Sequence, residues 1–232
     1  MEKNKFNNFI NKYNLGGEVE SVNIVSDGST LSVGMISDDK SMLGKVRLDN
    51  ITFPTGEFGI YTTSQLKQLL SVLQEDVNVE ATDSSLIFSD SGTTVNYMLA
   101  SKSVIPSVPD LKQLPNFDIE IKLDSTFVDK FIKSQNALSD ITTFAFISEK
   151  GKSKIVLGYS TINSNRISIN VDATTNGDVK PIMFSAKYLK SVFTANKDIE
   201  NSTMKISTDG LLYVDFQSNG FNSEYYIVES KQ

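Results

Sequence analysis

The chain contains no cysteine, no histidine and no tryptophan, and only Arg47 and Arg166 among its 22 basic residues are arginine. Without cysteine there is no disulfide framework, no thiolate metal site and no thiol nucleophile. Without histidine the commonest general base and the commonest transition-metal ligand are both missing. An enzyme built here would have to use carboxylates, lysine and tyrosine alone, and no pair of acids stands out for that role. Long apolar runs are absent too: nothing approaches the roughly 18 consecutive apolar residues of a membrane-spanning helix, so no membrane partner is expected. The opening Met1-Glu2-Lys3-Asn4-Lys5 runs into an amphipathic stretch. No secretory leader is therefore expected, and a cytoplasmic location is the default.

What is present is ample for a folded protein. The 232 residues are 39% hydrophobic and 22% charged, with a net charge of −6, enough to bury a real core in one large domain or two smaller ones. The two halves repeat. Gly59-Ile60-Tyr61-Thr62-Thr63-Ser64-Gln65-Leu66 aligns with Ile182-Met183-Phe184-Ser185-Ala186-Lys187-Tyr188-Leu189 at an offset of 123, and Tyr97-Met98-Leu99-Ala100-Ser101 aligns with Tyr226-Ile227-Val228-Glu229-Ser230 at an offset of 129. Small loop insertions account for the drift. A duplicated fold without a catalytic set reads as a scaffold.

Period-two alternation dominates, as in Leu31, Val33 and Met35 or Val95, Tyr97 and Leu99, and marks strands with one buried face. Asp27-Gly28, Ser91-Gly92, Lys150-Gly151 and Asp209-Gly210 signal hairpin turns. Four segments switch to helical spacing: Phe6, Phe9, Ile10 and Tyr13; Leu66, Leu69, Leu70 and Leu73; Phe127, Val128, Phe131 and Ile132; Tyr188, Leu189, Val192 and Phe193. Each apolar stripe is expected to lie on a sheet. Asp124 or Ser125 is the expected N-cap of the third helix, and Thr62 or Thr63 that of the second. Each half thus reads as two strand–helix–three-strand units. Between the halves, residues 101–116 hold three of the five prolines, Pro106, Pro109 and Pro115. Proline excludes a central strand, yet Val104, Ile105, Val108, Leu111 and Leu114 are too apolar for a free linker. This connector is expected to run extended along the surface and half-fill a groove. The reading gives domains at 1–100 and 117–232, joined by 101–116.

Charge is unevenly placed. The four helical segments sum to +8, leaving −14 for the rest. Lysines that merely solvate helix faces would explain some of this. A surface facing a polyanion explains why acids avoid the helices. Lysine neutralises phosphate without fixing register, whereas arginine reads guanine edges, so the contact is expected to be independent of sequence. Other motifs carry no chemistry. Gly151-Lys152-Ser153 resembles the end of a phosphate loop, but Phe146 stands where that loop needs glycine. Asp38-Asp39 has no third acid at ligand spacing. There is no Gly-x-Ser-x-Gly elbow, and the glycosylation-like Asn50-Ile51-Thr52 and Asn201-Ser202-Thr203 read as chance.

The ordered set formed by Phe184-Ser185-Ala186-Lys187-Tyr188-Leu189 leading into a helix, Gly59-Ile60-Tyr61 before its equivalent, the proline-rich connector and the terminal Tyr225-Tyr226-Ile227-Val228 resembles the DNA polymerase sliding clamps. The resemblance spans essentially the whole chain and is closest to the two-domain subunits of proliferating cell nuclear antigen and of T-even-type bacteriophage clamps. It implies an α+β DNA-clamp fold, with helices on one face of antiparallel sheets. It implies a homotrimer ring that encircles duplex DNA, tethers DNA polymerase, has an ATP-dependent clamp loader as a partner and needs no cofactor; a phage-encoded chain would work in the host cytoplasm. Phosphate contacts would fall to Lys5, Lys12, Lys67, Lys130, Lys133, Lys187, Lys190 and Lys197. A partner-peptide pocket would be lined by Met42 and Leu43 of an early loop, by Val104, Ile105, Val108 and Leu111, and by Tyr226, Ile227 and Val228. Subunits would join through Val95, Tyr97 and Leu99 of one chain and Ile167, Ile169 and Val171 of the next. Two other readings stay open: a monomeric DNA-binding processivity factor of the same fold, which would want a denser basic cluster, and a β-rich virion protein assembling by sheet edges, which leaves the helical lysines unexplained.

Overall fold

The computed structural model describes residues 1–111, 113–160, 164–175 and 177–230, so Lys112 of the connector lies outside the described residues. The chain forms two compact units, Met1–Pro109 with Asn219–Ser223, and Asp110–Ser218 with Glu224–Gln232. The division falls inside the proline-rich connector.

The first unit runs α1 (Lys3–Asn14), β1 (Val22–Ser26), β2 (Thr30–Ile36), β3 (Met42–Asp49), β4 (Gly56–Ile60), α2 (Thr63–Ser71), β5 (Asn78–Ala81), β6 (Ser85–Ser89) and β7 (Thr94–Met98). Its strands order as β4-β1-β2-β3 and as β5-β6-β7, with antiparallel pairing throughout. The second unit runs β8 (Ile119–Lys122), α3 (Ser125–Ala137), β9 (Thr143–Glu149), β10 (Lys152–Leu157), β11 (Ile167–Val171), β12 (Ala173–Thr175), β13 (Val179–Ser185), α4 (Ala186–Ala195), β14 (Asn201–Ser207), β15 (Leu211–Ser218) and, from Glu224 on, β16 (Phe221–Val228). Here β13-β9-β10-β11 repeats the order of β4-β1-β2-β3, and β14-β15-β16 follows α4 as β5-β6-β7 follows α2. The duplication read from the sequence is thus a duplication of topology. It departs from the expected pattern twice. The strand expected before α1 is reduced to a single bridge between Glu2 and Asp76. The alternating strand of Ile167, Ile169 and Val171 is present as β11, and a further short strand, β12, follows it where the pattern has none.

Period-3.6 apolar spacing makes the helices, and each buries most of the stripe that the spacing defines, with Leu69, Phe127 and Tyr188 half-buried. Phe6, Phe9, Ile10 and Tyr13 of α1 are fully buried, as are Phe131 of α3 and Leu189, Val192 and Phe193 of α4. α1 lies on β2 and β3 and beside α2, while α3 packs beside α4, which lies on β9. Edge-to-face rings fix the cores: Phe53 against Phe58 at 5.6 Å in the first unit, and Phe131 against both Phe144 and Phe193 at 5.4 Å in the second. Such pairs add about 0.5–1.5 kcal/mol beyond the area that they bury. The Asp124 side chain accepts the Phe127 N–H at 2.7 Å and caps α3, as expected. α2 is capped otherwise. Thr62 makes no side-chain cap, and the Glu20 carboxylate accepts the Ser64 N–H at 2.8 Å instead. An anion from outside the helix thus meets the positive end of its dipole. The four expected glycine turns all join hairpin strands. At Lys150 and Gly151 both φ angles are positive, 52° and 73°, the combination that a two-residue hairpin turn requires.

Candidate nucleic-acid interface and docking faces

The expected phosphate-binding lysines divide sharply once placed. Lys12 is only 3% exposed, and its ammonium sits over the Phe221 ring, 5.0 Å from the centroid. Held there, it stands away from solvent, unlike the other expected phosphate contacts, all of which are exposed or half-buried. On the same helix the Lys5 ammonium donates to the Asn50 carbonyl at 2.6 Å, and Lys3 donates to the Leu73 carbonyl. Lys67 on α2 is half-buried. In the second unit, Lys130 and Lys133 on α3 and Lys187 on α4 are exposed, Lys190 is half-buried, and Lys197 is exposed just past the end of α4. α3 and α4 are neighbours, and Asp129 is the only acid within either helix. Ammonium groups on such a pair can hold a polyanion through screened, register-free attraction.

The connector does lie along a surface. Ala100 donates its N–H to the Gly59 carbonyl at 2.9 Å, a short 3-10 turn follows at Lys102–Val104, and Lys102 pairs with Glu57. That hydrogen bond, and then one from Asn23, hold the Glu57 carboxyl below its ordinary value. Val108 then covers Gly34, its carbons 3.6 Å from where a β-carbon would stand. Ile105, Pro106 and Val108 face Asn23, Val25 and Gly34 across an open groove of about 370 Å³. Val104 and Val25 remain exposed.

The other expected pocket residues fare unevenly. Met42 and Leu43 open β3 and are not loop residues; Met42 is 1% exposed and Leu43 half-buried. In the second unit Leu111 is half-buried, Tyr226 is nearly buried, Ile227 is 0% exposed and Val228 is exposed. Met42 and Ile227 are core side chains, because strand alternation turns them inward, and neither offers a docking surface. Sequence reasoning missed Tyr213 as a neighbour of Tyr226. The Tyr213 ring lies 5.0 Å from that of Tyr226 and 5.9 Å from that of Phe117. Burial, with Glu224 beside it, raises the Tyr226 phenol to about 12. The alternation of Leu212, Val214 and Phe216, all buried, is the signal that turns Tyr213 to the opposite face.

The strands expected to join subunits are both sheet edges: β7 pairs with β6 alone and β11 with β10 alone among the described residues. Their apolar side chains are otherwise occupied. Val95, Tyr97 and Ile169 are buried in their own units, with the Tyr97 hydroxyl donating to the Thr62 carbonyl at 3.3 Å. Leu99, Ile167 and Val171 are half-buried. What the edges offer is backbone together with the alternate residues: Asn96 and Met98, the latter 63% exposed, on β7, and Ser168 and Asn170 on β11. A subunit contact at these edges would rest on the backbone and these alternate residues more than on the side chains of Val95, Tyr97 and Ile169.

No family model matches the sequence, and no curated protein matches it. Solved structures do. The chain is similar over 100% of its length to 97% of the proliferating cell nuclear antigen of Entamoeba histolytica, with a TM-score of 0.74 at 14% identity. It is similar over 99% of its length to 97% of a chain in the PCNA2–PCNA3 complex of Sulfolobus tokodaii, with a TM-score of 0.74 at 13% identity. The fold is therefore that of the PCNA-type clamps, as the sequence resemblance implied.

Proposed function

We propose that this chain is the subunit of a DNA polymerase sliding clamp: a homotrimeric ring that encircles duplex DNA without reading its sequence and tethers the polymerase. The observation that carries the reading is the full-length match in fold, which leaves no part of the chain over for another architecture. Two features of the chain fit it. The exposed lysines of α3 and α4 stand on helices, while the chain as a whole is acidic. A duplex threaded past those helices would be attracted, and the remaining surface would repel it. The edges of β7 and β11 carry backbone groups that a closed ring of copies would pair, which is how a ring avoids open-ended aggregation. The groove under the connector would take the apolar tail of a partner, the polymerase or an ATP-dependent loader.

Threading tests this directly. The protein is mixed with linear duplex DNA whose ends are free, both ends are then blocked with a bulky adduct, and the salt is raised. A sliding ring stays on the blocked DNA through high salt and is lost once a restriction cut frees an end. Release at high salt with the ends still blocked would contradict encirclement and favour a monomeric factor that grips by charge.

A further inference from the structure

Opposite its buried stripe, each helix carries a polar stripe at the spacing i, i+3, i+4, i+7, which marks one face. On α1 that stripe is Asn4, Asn7, Asn8 and Asn11, and it holds no charge. All three lysines of α1 lie off it, one buried and two donating to carbonyls. On α2 the stripe is Ser64, Gln68 and Ser71 around a single Lys67. The second unit differs. α3 presents Lys130 and Lys133 with Asp129, and α4 presents Lys187 and Lys190. By charge the outward stripes hold one lysine in the first unit and four in the second.

We infer that the two units meet the DNA backbone with different chemistry: the second through the ammonium groups of Lys130, Lys133, Lys187 and Lys190, the first through a carboxamide face led by Asn4, Asn7, Asn8 and Asn11. The inference rests on the reading of the helices as the DNA-facing surface. The two chemistries respond differently to salt. An ammonium that neutralises a phosphate releases condensed counterions, so the affinity falls with a slope of about −0.9 in log K against log salt for each phosphate neutralised. A carboxamide N–H donated to a phosphate oxygen positions the backbone but neutralises nothing, and it contributes nearly the same at every salt concentration. The salt dependence of DNA binding therefore belongs chiefly to the second unit, while the first, with Lys67 as the one charge on its stripes, supplies a largely neutral bearing surface.

The test is the affinity of the whole protein for a fluorescent duplex, measured by anisotropy from low to moderate salt. Two variants are compared with the natural chain. One carries Lys130→Ala, Lys133→Ala, Lys187→Ala and Lys190→Ala; the other carries Asn4→Ala, Asn7→Ala, Asn8→Ala and Asn11→Ala. All eight sites are exposed or half-buried, and unfolding curves check that the fold is kept. The lysine variant is expected to flatten the salt slope by about 0.9 for each phosphate that it no longer neutralises. The asparagine variant is expected to keep the natural slope and bind more weakly by a similar factor at every salt. A natural slope in the lysine variant, or a flattened slope in the asparagine variant, would overturn the division of labour and leave the clamp reading standing. A natural chain with no measurable affinity at the lowest salt would overturn the helix-facing reading itself, and the inference with it.

Discussion

Lys12 shows what a single residue can and cannot reveal from sequence. Its place in a lysine-bearing helix suggests a phosphate contact, but Phe221, at the far end of the chain, covers it. No local pattern announces that contact, because it is made by a residue distant in sequence. Lys12→Met keeps the apolar stem and removes the charge. It is expected to leave duplex affinity and its salt slope unchanged, and an affinity drop matching that of Lys130→Ala would restore Lys12 to the interface. Gly59 makes a firmer claim. A β-carbon there would stand 2.3 Å from the Ala100 carbonyl oxygen, and the Gly59 carbonyl is held by the Ala100 N–H, so the backbone cannot easily give way. Gly59→Ala is expected to destabilise the protein by about 1–3 kcal/mol, the usual cost of overpacking, seen as a lower midpoint in denaturant unfolding. An unchanged midpoint would show that the connector start moves freely away from β4.

Among the elements, all four helices and all four glycine turns are legible in the sequence, since apolar spacing and turn chemistry are local. The caps separate the local from the non-local. Asp124 caps its own helix within three residues, and the sequence names it. Glu20 caps α2 from 44 residues away, and the sequence names Thr62 or Thr63 instead. Asp124→Ala is therefore expected to cost about 1 kcal/mol and Thr62→Ala close to nothing; equal losses in thermal unfolding would contradict that assignment. The edge of β7 carries a further expectation. Leu99 donates to the Ser84 carbonyl and Asp90 to that of Thr93, so odd-numbered residues of this segment bond β6 and the Asn96 N–H points outward. Asn96→Pro would remove an outward donor and leave the ladder to β6 intact. It is expected to keep the fold and to abolish self-association, as read by sedimentation. A folded variant that still assembles would place the subunit contact elsewhere.

At the scale of the whole molecule, the duplicated topology, the acidic balance and the helical lysines are all visible in the order of the residues, because repeats and charge are properties of composition and order. The interface side chains and the pocket are not, since alternation says which residues turn inward only once the sheet that covers them is known. Met42, Ile227, Val95 and Tyr97 all turn into cores in this way. For the proposed ring the chain offers two edges of backbone and a basic helix pair, and on that proposal both would act on DNA through closure into an assembly. The most direct test of that claim is the mass of the protein in solution, by light scattering on a sizing column over a range of concentrations. The ring predicts a discrete species at three times the 25.6 kDa chain mass, dissociating only on dilution. A single chain mass persisting at high concentration would contradict it.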